Sequence, residues 1–190
     1  MSDLKMSDLE TPDLKTPEWA REYSGAMLLP SSWRPSLAAL LPTDPTAYAG
    51  PRLAVWGVLA WLGVITVRSG IHLLTPDGGA QSIATMDLST AGDLPVAGSS
   101  NIVALFGQWG ASQLLLAGLL WVLVLRWRGL VPLALAVFVA EPCLRGLAGH
   151  LKPITTVGTA PGAALNWVVL PVLAGLLWLS LCPARRAPVK

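Results

Sequence analysis

Arg68, His72, Asn101, Gln108, Glu141, Arg145, His150 and Asn166 are the side chains with the means to do chemistry, because each lies within or at the edge of an apolar stretch. A charged or amide group in hydrocarbon is expensive, so its presence marks a ligand, proton or packing role. Glu141 and Arg145 are four residues apart, hence one above the other on a helix face, where they can pair directly. Arg68 and His72 share a face in the same way. Arginines in such a set would attract an anionic or carbonyl group, with Glu141 and His150 setting protonation. The same residues could serve an acid–base enzyme, but no nucleophile or phosphate-binding loop accompanies them, so the reading leans away from catalysis. HExxH and CxxC spacings are absent, and no metal or other cofactor is expected.

Each residue also has a plainer reading. Glu141–Arg145 can be an ion pair that neutralises itself and locks helix packing. Arg68 and His72 can reach toward headgroups from the end of a helix. Asn101 can cap a helix, and Asn166 can make an interhelical hydrogen bond worth only about 0.6 kcal/mol. Gly107 and Ala111, four apart, read as a close-packing seam. No catalytic residue is assigned.

The elements that must position these groups are long apolar runs at 53–74, 101–125, 130–148 and 162–182. A helix rises about 1.5 Å per residue, so roughly 20 apolar residues cross a hydrocarbon core of about 30 Å. Composition agrees, with 53% hydrophobic and only 13% charged residues. The expected fold is an all-α integral membrane protein, a four-transmembrane-helix bundle. A net charge of +2, with Lys and Arg at run ends, speaks against a nucleic-acid partner. Cys143 and Cys182 lie near opposite ends of the third and fourth runs and are not expected to pair.

Orientation follows from Lys and Arg near the run ends. The segment from Thr75 to Ser100 has neither and carries Asp77, Asp87 and Asp93, whereas Arg126-Trp127-Arg128 joins the second and third runs. Arg185, Arg186 and Lys190 follow the fourth. Both termini are expected in the cytoplasm and the acidic loop outside, with Lys152 in mild dissent. Trp56, Trp127 and Trp178 then fall near the inner interface, which suits indoles. With the first run entering near Leu53, Arg68 lies about 22 Å and His72 about 28 Å along it. Glu141 and Arg145 lie about 16 and 22 Å along the third run, and Gln108 about 10 Å below Asn101. All the polar candidates fall in the outer half. Asn101, Leu105, Gln108 and Ser112, spaced 4-3-4, predict a partly polar stripe on the second span. Pro142 and Pro171 free the carbonyls of Phe138 and Trp167.

Residues 1–50 form a separate Pro-rich cytoplasmic arm, expected to be disordered or interfacial, and 183–190 a basic tail around the membrane domain 51–182. The arm opens on a degenerate five-residue repeat, MSDLK-MSDLE-TPDLK-TPEWA, whose period fits neither helix nor strand. A short helix from Thr16, with Trp19, Tyr23 and Met27 on one face, would lie on the membrane surface. No basic patch followed by an apolar core opens the chain, and no cleavable signal peptide is expected. In the acidic loop, Thr75-Pro76-Asp77-Gly78-Gly79 is a stop-and-turn signal, and Ala80 to Leu88 has room for one or two helical turns.

The runs Thr75-Pro-Asp-Gly-Gly79, Phe106-Gly-Gln-Trp-Gly110, Glu141-Pro-Cys-Leu-Arg145-Gly and Gly149-His-Leu-Lys-Pro153 resemble small four-helix bacterial membrane proteins of the broadly DoxX-like kind. The resemblance covers residues 51–182, and implies the four-helix architecture and a bacterial inner-membrane location but no reaction. The leading expectation is a non-enzymatic accessory or assembly component, docking a membrane-protein partner through the arm or the outer loop. The alternative is binding or transport of a small amphipathic ligand, a lipid headgroup or quinone-like molecule, in an outer-leaflet pocket. Membrane lipids are partners in either case, and transport by so few helices would call for a homodimer.

Overall fold

A computed structural model of the protein describes residues 27–86, 88 and 96–184. Four helices carry the fold, α1 (Arg52–Leu74), α2 (Val96–Arg126), α3 (Val131–Leu151) and α4 (Pro161–Ser180), and no strand occurs among the described residues. Three helical stretches, Arg52–Leu74, Gly98–Arg126 and Arg128–Leu151, are long and apolar enough to cross a membrane, and Ala164–Ser180 is apolar over a shorter length. α2 begins five residues before the expected 101, because Gly98-Ser99-Ser100 interrupts the apolar run without interrupting the helix. Prolines punctuate the rest. Pro76 follows the end of α1, where the Thr75 N–H and hydroxyl both donate to the Ile71 carbonyl. Pro132 and Pro161 sit in the first turns of α3 and α4, where no helical donor is lost.

The buried stripes follow coiled-coil-like spacing. On α1 they run Val55, Val58, Leu62, Ile65, Ser69, His72, and on α3 Val131, Ala134, Leu135, Phe138, Pro142. With Ala117, Leu120 and Val124 of α2 and Leu173 of α4 they form one apolar core. α1 packs closely on α2, and α3 on α4, while α1 also touches α3 and α4. α3 touches α2 as well, so α1 and α3 each meet the other three helices, with α1 the more closely packed.

At Gly110, α2 lies close against the backbone of α1. A Cβ there would stand 2.8 Å from the backbone N of Leu73 and from the His72 Cβ. Gly107, expected to form the seam, has only the His72 carbonyl at 4.0 Å, and Ala111 is exposed. The face toward α1 runs through Gly110, Ala117 and Val124, a seven-residue spacing that a single four-residue pair does not capture.

Residues 27–51 form an irregular strap with one 3-10 turn at Leu37–Leu40, tied across one end of the bundle. The carbonyls of Met27 and Leu28 accept from the Arg52 and Leu53 N–H groups, two donors that a helix start leaves unsatisfied. Beyond the end of α4, the Leu181 carbonyl accepts from the Ser36 N–H, and the Pro183 carbonyl from the Ser31 N–H and hydroxyl. The Ala184 N–H returns a bond to Ala49. Between α2 and α3, the Gly129 N–H donates to the Pro45 carbonyl at 2.7 Å. The short helix expected from Thr16 and the basic tail from Arg185 lie outside the described residues.

A Cβ on Gly129 would meet the Pro45 and Ala47 carbonyl oxygens at 2.7 and 2.9 Å, both backbone atoms. Gly129→Ala is expected to lift the strap at a cost of about 1–3 kcal/mol. Limited proteolysis would then cut faster within residues 30–47, while Gly175→Ala, with nothing within 4 Å of the new carbon, leaves the rate unchanged.

At the opposite end, Gly78 and Gly79 take φ values of +59° and +74°, which only glycine adopts without strain. The following residues form successive turns, with Ile83 and Ala84 N–H groups donating to Gly79 and Met86 to Ala80, rather than a helix. Asp77 accepts from the Gly79 and Ser82 N–H groups at 3.0 and 2.8 Å. These bonds, that from Ser82 first, hold its carboxyl well below the ordinary carboxylate range. A depressed folded value means that the turn's stabilisation is present above the unfolded carboxyl pKa and is lost as pH falls through the folded one. Amide exchange at Gly79 and Ser82 is therefore expected to stay slow into mild acid. Asp77→Asn, which keeps one acceptor oxygen, should speed exchange at one of the two by about tenfold.

Candidate functional site

Above the apolar core lies a polar layer to which all four helices contribute. Glu141 is its hub. Its Oε1 accepts from the Gln113 amide at 3.0 Å and from Arg145 Nε at 3.0 Å, and Arg68 Nη2 stands 3.9 Å away. Its Oε2 accepts a longer bond, 3.4 Å, from Arg145 Nη2. That same Nη2 donates to Asn166 Oδ1 of α4 at 3.0 Å. On the other side, Arg68 Nη2 donates to Gln113 Oε1 at 2.6 Å. The Gln113 amide thus relays between the groups, its oxygen toward the cation and its nitrogen toward the carboxylate.

Among the described residues two guanidiniums face one carboxylate, which leaves one positive charge uncompensated there. The side chains of Arg68 and Glu141 are each 23% exposed and that of Arg145 is 28% exposed. They are screened from most surrounding solvent but not sealed. Arg68 Nε is buried and has no hydrogen-bond partner among the described residues. The Arg68 guanidinium instead lies 4.9 Å from the Trp109 ring centroid, a cation–π contact.

Trp109 connects this layer to the next. Its ring lies 4.8 Å from His72 and stands edge-on to Phe106. His72 is 4% exposed, and its Nδ1 is 2.8 Å from the Gly78 carbonyl. A carbonyl can only accept, so Nδ1 carries the proton in that bond. His72 therefore fastens the Gly78–Gly79 turn to the end of α1. Its link to the Glu141 layer runs through Trp109 to Arg68.

Of the eight candidates, Arg68, Glu141, Arg145 and Asn166 meet, and His72 adjoins them. Asn101, Gln108 and His150 are exposed and stand apart from the network. Asn101 lies inside α2 rather than at its cap. The expected polar stripe of Asn101, Leu105, Gln108 and Ser112 does exist, but it is the outward face of the helix. Gln113, five residues beyond Gln108, is about 140° around the helix from it and points inward. Its signal was its place between Gly110 and Ala117 on the seven-residue seam.

The arrangement can hold an anion or a carbonyl oxygen against two guanidiniums; it offers no activated nucleophile. Among the described residues no cluster of His, Cys, Asp and Glu is suited to a metal ion, and Cys143 and Cys182 are free thiols, one exposed and one buried. No family model, no curated protein and no solved structure matches the chain.

Proposed function

We propose that this is a bacterial inner-membrane protein of four spans, both termini cytoplasmic, that binds a small amphipathic ligand with an anionic or carbonyl head at Arg68 and Arg145. One observation carries the reading: among the described residues two arginines share a single carboxylate, and Arg68 keeps a buried N–H without a partner. A charge deep in a bundle is tolerated when something compensates it, and an anionic head would do so. Arg68 lies about 24 Å from the strap end of α1, Arg145 about 21 Å along α3, and Asn166 about 21 Å from the end of α4. In the proposed orientation that is the outer leaflet. The bundle's outward faces support the membrane setting, since Leu115, Val122, Leu144, Trp167 and Val168 are all exposed there.

A second reading, an accessory subunit, draws on the strap, where Leu28, Leu29, Trp33, Leu37 and Leu41 are exposed together near Arg34. Native mass spectrometry of gently extracted protein separates the two. A bound small molecule supports the first reading, and a stoichiometric protein supports the second. With oleate as the probe in nanodiscs, Arg145→Gln and Arg68→Gln are each expected to weaken binding about tenfold, the loss of one charge-assisted contact. Unchanged affinity in both variants would reject the ligand reading.

A further inference from the structure

α2 has two faces with the same rhythm, and the fold uses one of them. The inner seam runs through Gly110, Gln113, Ala117, Leu120 and Val124, spaced 3-4-3-4, and packs into the bundle. A second seam is offset by two residues, about 200° round the helix. Gln108, Leu115 and Val122 alternate there with Ala104, Ala111 and Gly118, and Asn101 and Leu125 continue the spacing at either end. All of these positions are exposed, Leu115 to 77%. α2 is also the least covered of the three long apolar helices.

Lipid chains accept any apolar surface, whereas a seam between two helices needs a repeat held at 3.5 residues. The residue types along this one are sorted as such a seam requires. Small residues recur at 104, 111 and 118, where two backbones can approach closely, and nothing lies within 4 Å of a Cβ placed on Gly118. Larger side chains and the amides fill the alternate positions. No charged residue occurs on α2 before Arg126, its last residue. From Asn101 to Leu125 the seam is about 36 Å long, enough to follow a hydrocarbon core of about 30 Å from side to side.

Gln108 identifies what covers this face. In the proposed orientation it lies about 10 Å below Asn101, inside hydrocarbon. Its backbone carbonyl accepts from the Ser112 hydroxyl at 2.9 Å, but its side-chain amide has no partner among the described residues. An amide in such a place gains by a hydrogen bond to another helix. It carries both an acceptor oxygen and a donor nitrogen, so two glutamines face to face satisfy each other. Two copies inserted in the same direction run parallel, and in a parallel two-fold pair each seam residue meets its own counterpart.

We infer that the face of α2 from Asn101 to Leu125 is the interface of a parallel homodimer, fastened by reciprocal hydrogen bonds between the two Gln108 amides. The inference rests on the membrane setting proposed above and not on the ligand, since the Arg68 layer meets α2 through Gln113 on the inner seam.

The test is cross-linking of the full chain in phosphatidylethanolamine–phosphatidylglycerol vesicles, diluted in lipid until random collision is negligible. Cys143→Ser removes the exposed native thiol, and Cys182 is buried. On oxidation with copper phenanthroline, Ala111→Cys and Gly118→Cys should link to their own copies at least about fivefold faster than Leu116→Cys, an exposed position off the seam, because a disulfide needs Cα atoms within about 7 Å. Energy transfer between copies labelled at their N-termini gives the association constant. Gln108→Leu should lower it about five- to tenfold, the loss of two reciprocal bonds, and Gln108→Asn should restore part of it. Ala111→Leu, which props the backbones apart, should abolish association while helical circular dichroism is kept. Arg68→Gln should leave the dimer intact, so failure of this interface and failure of the ligand reading remain distinguishable. Equal linking at Ala111→Cys and Leu116→Cys, energy transfer no higher than random mixing gives, or undiminished association of Gln108→Leu would each overturn the assignment. So would linking of Ala104→Cys to Gly118→Cys in preference to their own copies, which is the antiparallel register.

Discussion

Glu141→Ala is expected to destabilise the bundle by roughly 3–5 kcal/mol, because it strands two partly buried arginines without their common counter-charge. Gln113 would lose the acceptor for its amide N–H and Arg145 would keep only Asn166. Reversible unfolding in mixed micelles, followed by circular dichroism, reads the change. The sharper result comes from replacing the whole set. With Arg68→Met, Gln113→Leu, Glu141→Leu and Arg145→Met together, most of the stability should return, since a buried ionic cluster replaced by apolar groups of similar volume is often neutral or stabilising. That variant would fold and yet hold no anion in the polar layer. If Glu141→Ala proved harmless, the carboxylate would not be the hub that the hydrogen bonds describe.

Gly110→Leu is the second large effect. Even a single Cβ would come within 2.8 Å of the Leu73 backbone nitrogen, an atom that cannot rotate aside. A leucine must therefore push α1 and α2 apart, at about 3 kcal/mol or more. The displacement would also be felt by His72, whose Cβ is the other near neighbour, and through Trp109 by Arg68. Gly118→Ala on the same helix is the control. Nothing lies within 4 Å of its new carbon, and a helix gains up to about 1 kcal/mol when glycine becomes alanine. Tryptophan fluorescence and thermal unfolding, compared across the two variants, separate a packing clash from a general intolerance of substitution.

The helices and most of the polar layer were legible in the sequence because hydropathy and rarity are strong signals. Arg68, Glu141, Arg145 and Asn166 stand out in apolar runs, and their shared depth follows from counting residues. What counting does not provide is rotation. Asn101 and Gln108 have the right depth and the wrong face, while Gln113 has both the right depth and the right face but no charge to single it out. Depth needs only a rise per residue; facing needs the packing seam, and that seam is set by Gly110, not by the more obvious Gly107–Ala111 pair. The strap was hidden for a different reason. Its bonds are between backbone groups, which every residue carries, so no side-chain pattern announces them.

The strap has a consequence for how the chain is made. Ser31 and the Pro183 carbonyl that it bonds are separated by 152 residues. At about 5–20 residues per second, synthesis takes on the order of 10 to 30 s to supply that partner once Ser31 has emerged. Throughout that interval the Ser31 and Ser36 donors await acceptors that follow α4. Closure of the strap is thus a report that α4 has been made: a chain stalled or cut before residue 181 would leave the strap untied, with its apolar residues open to quality-control proteases.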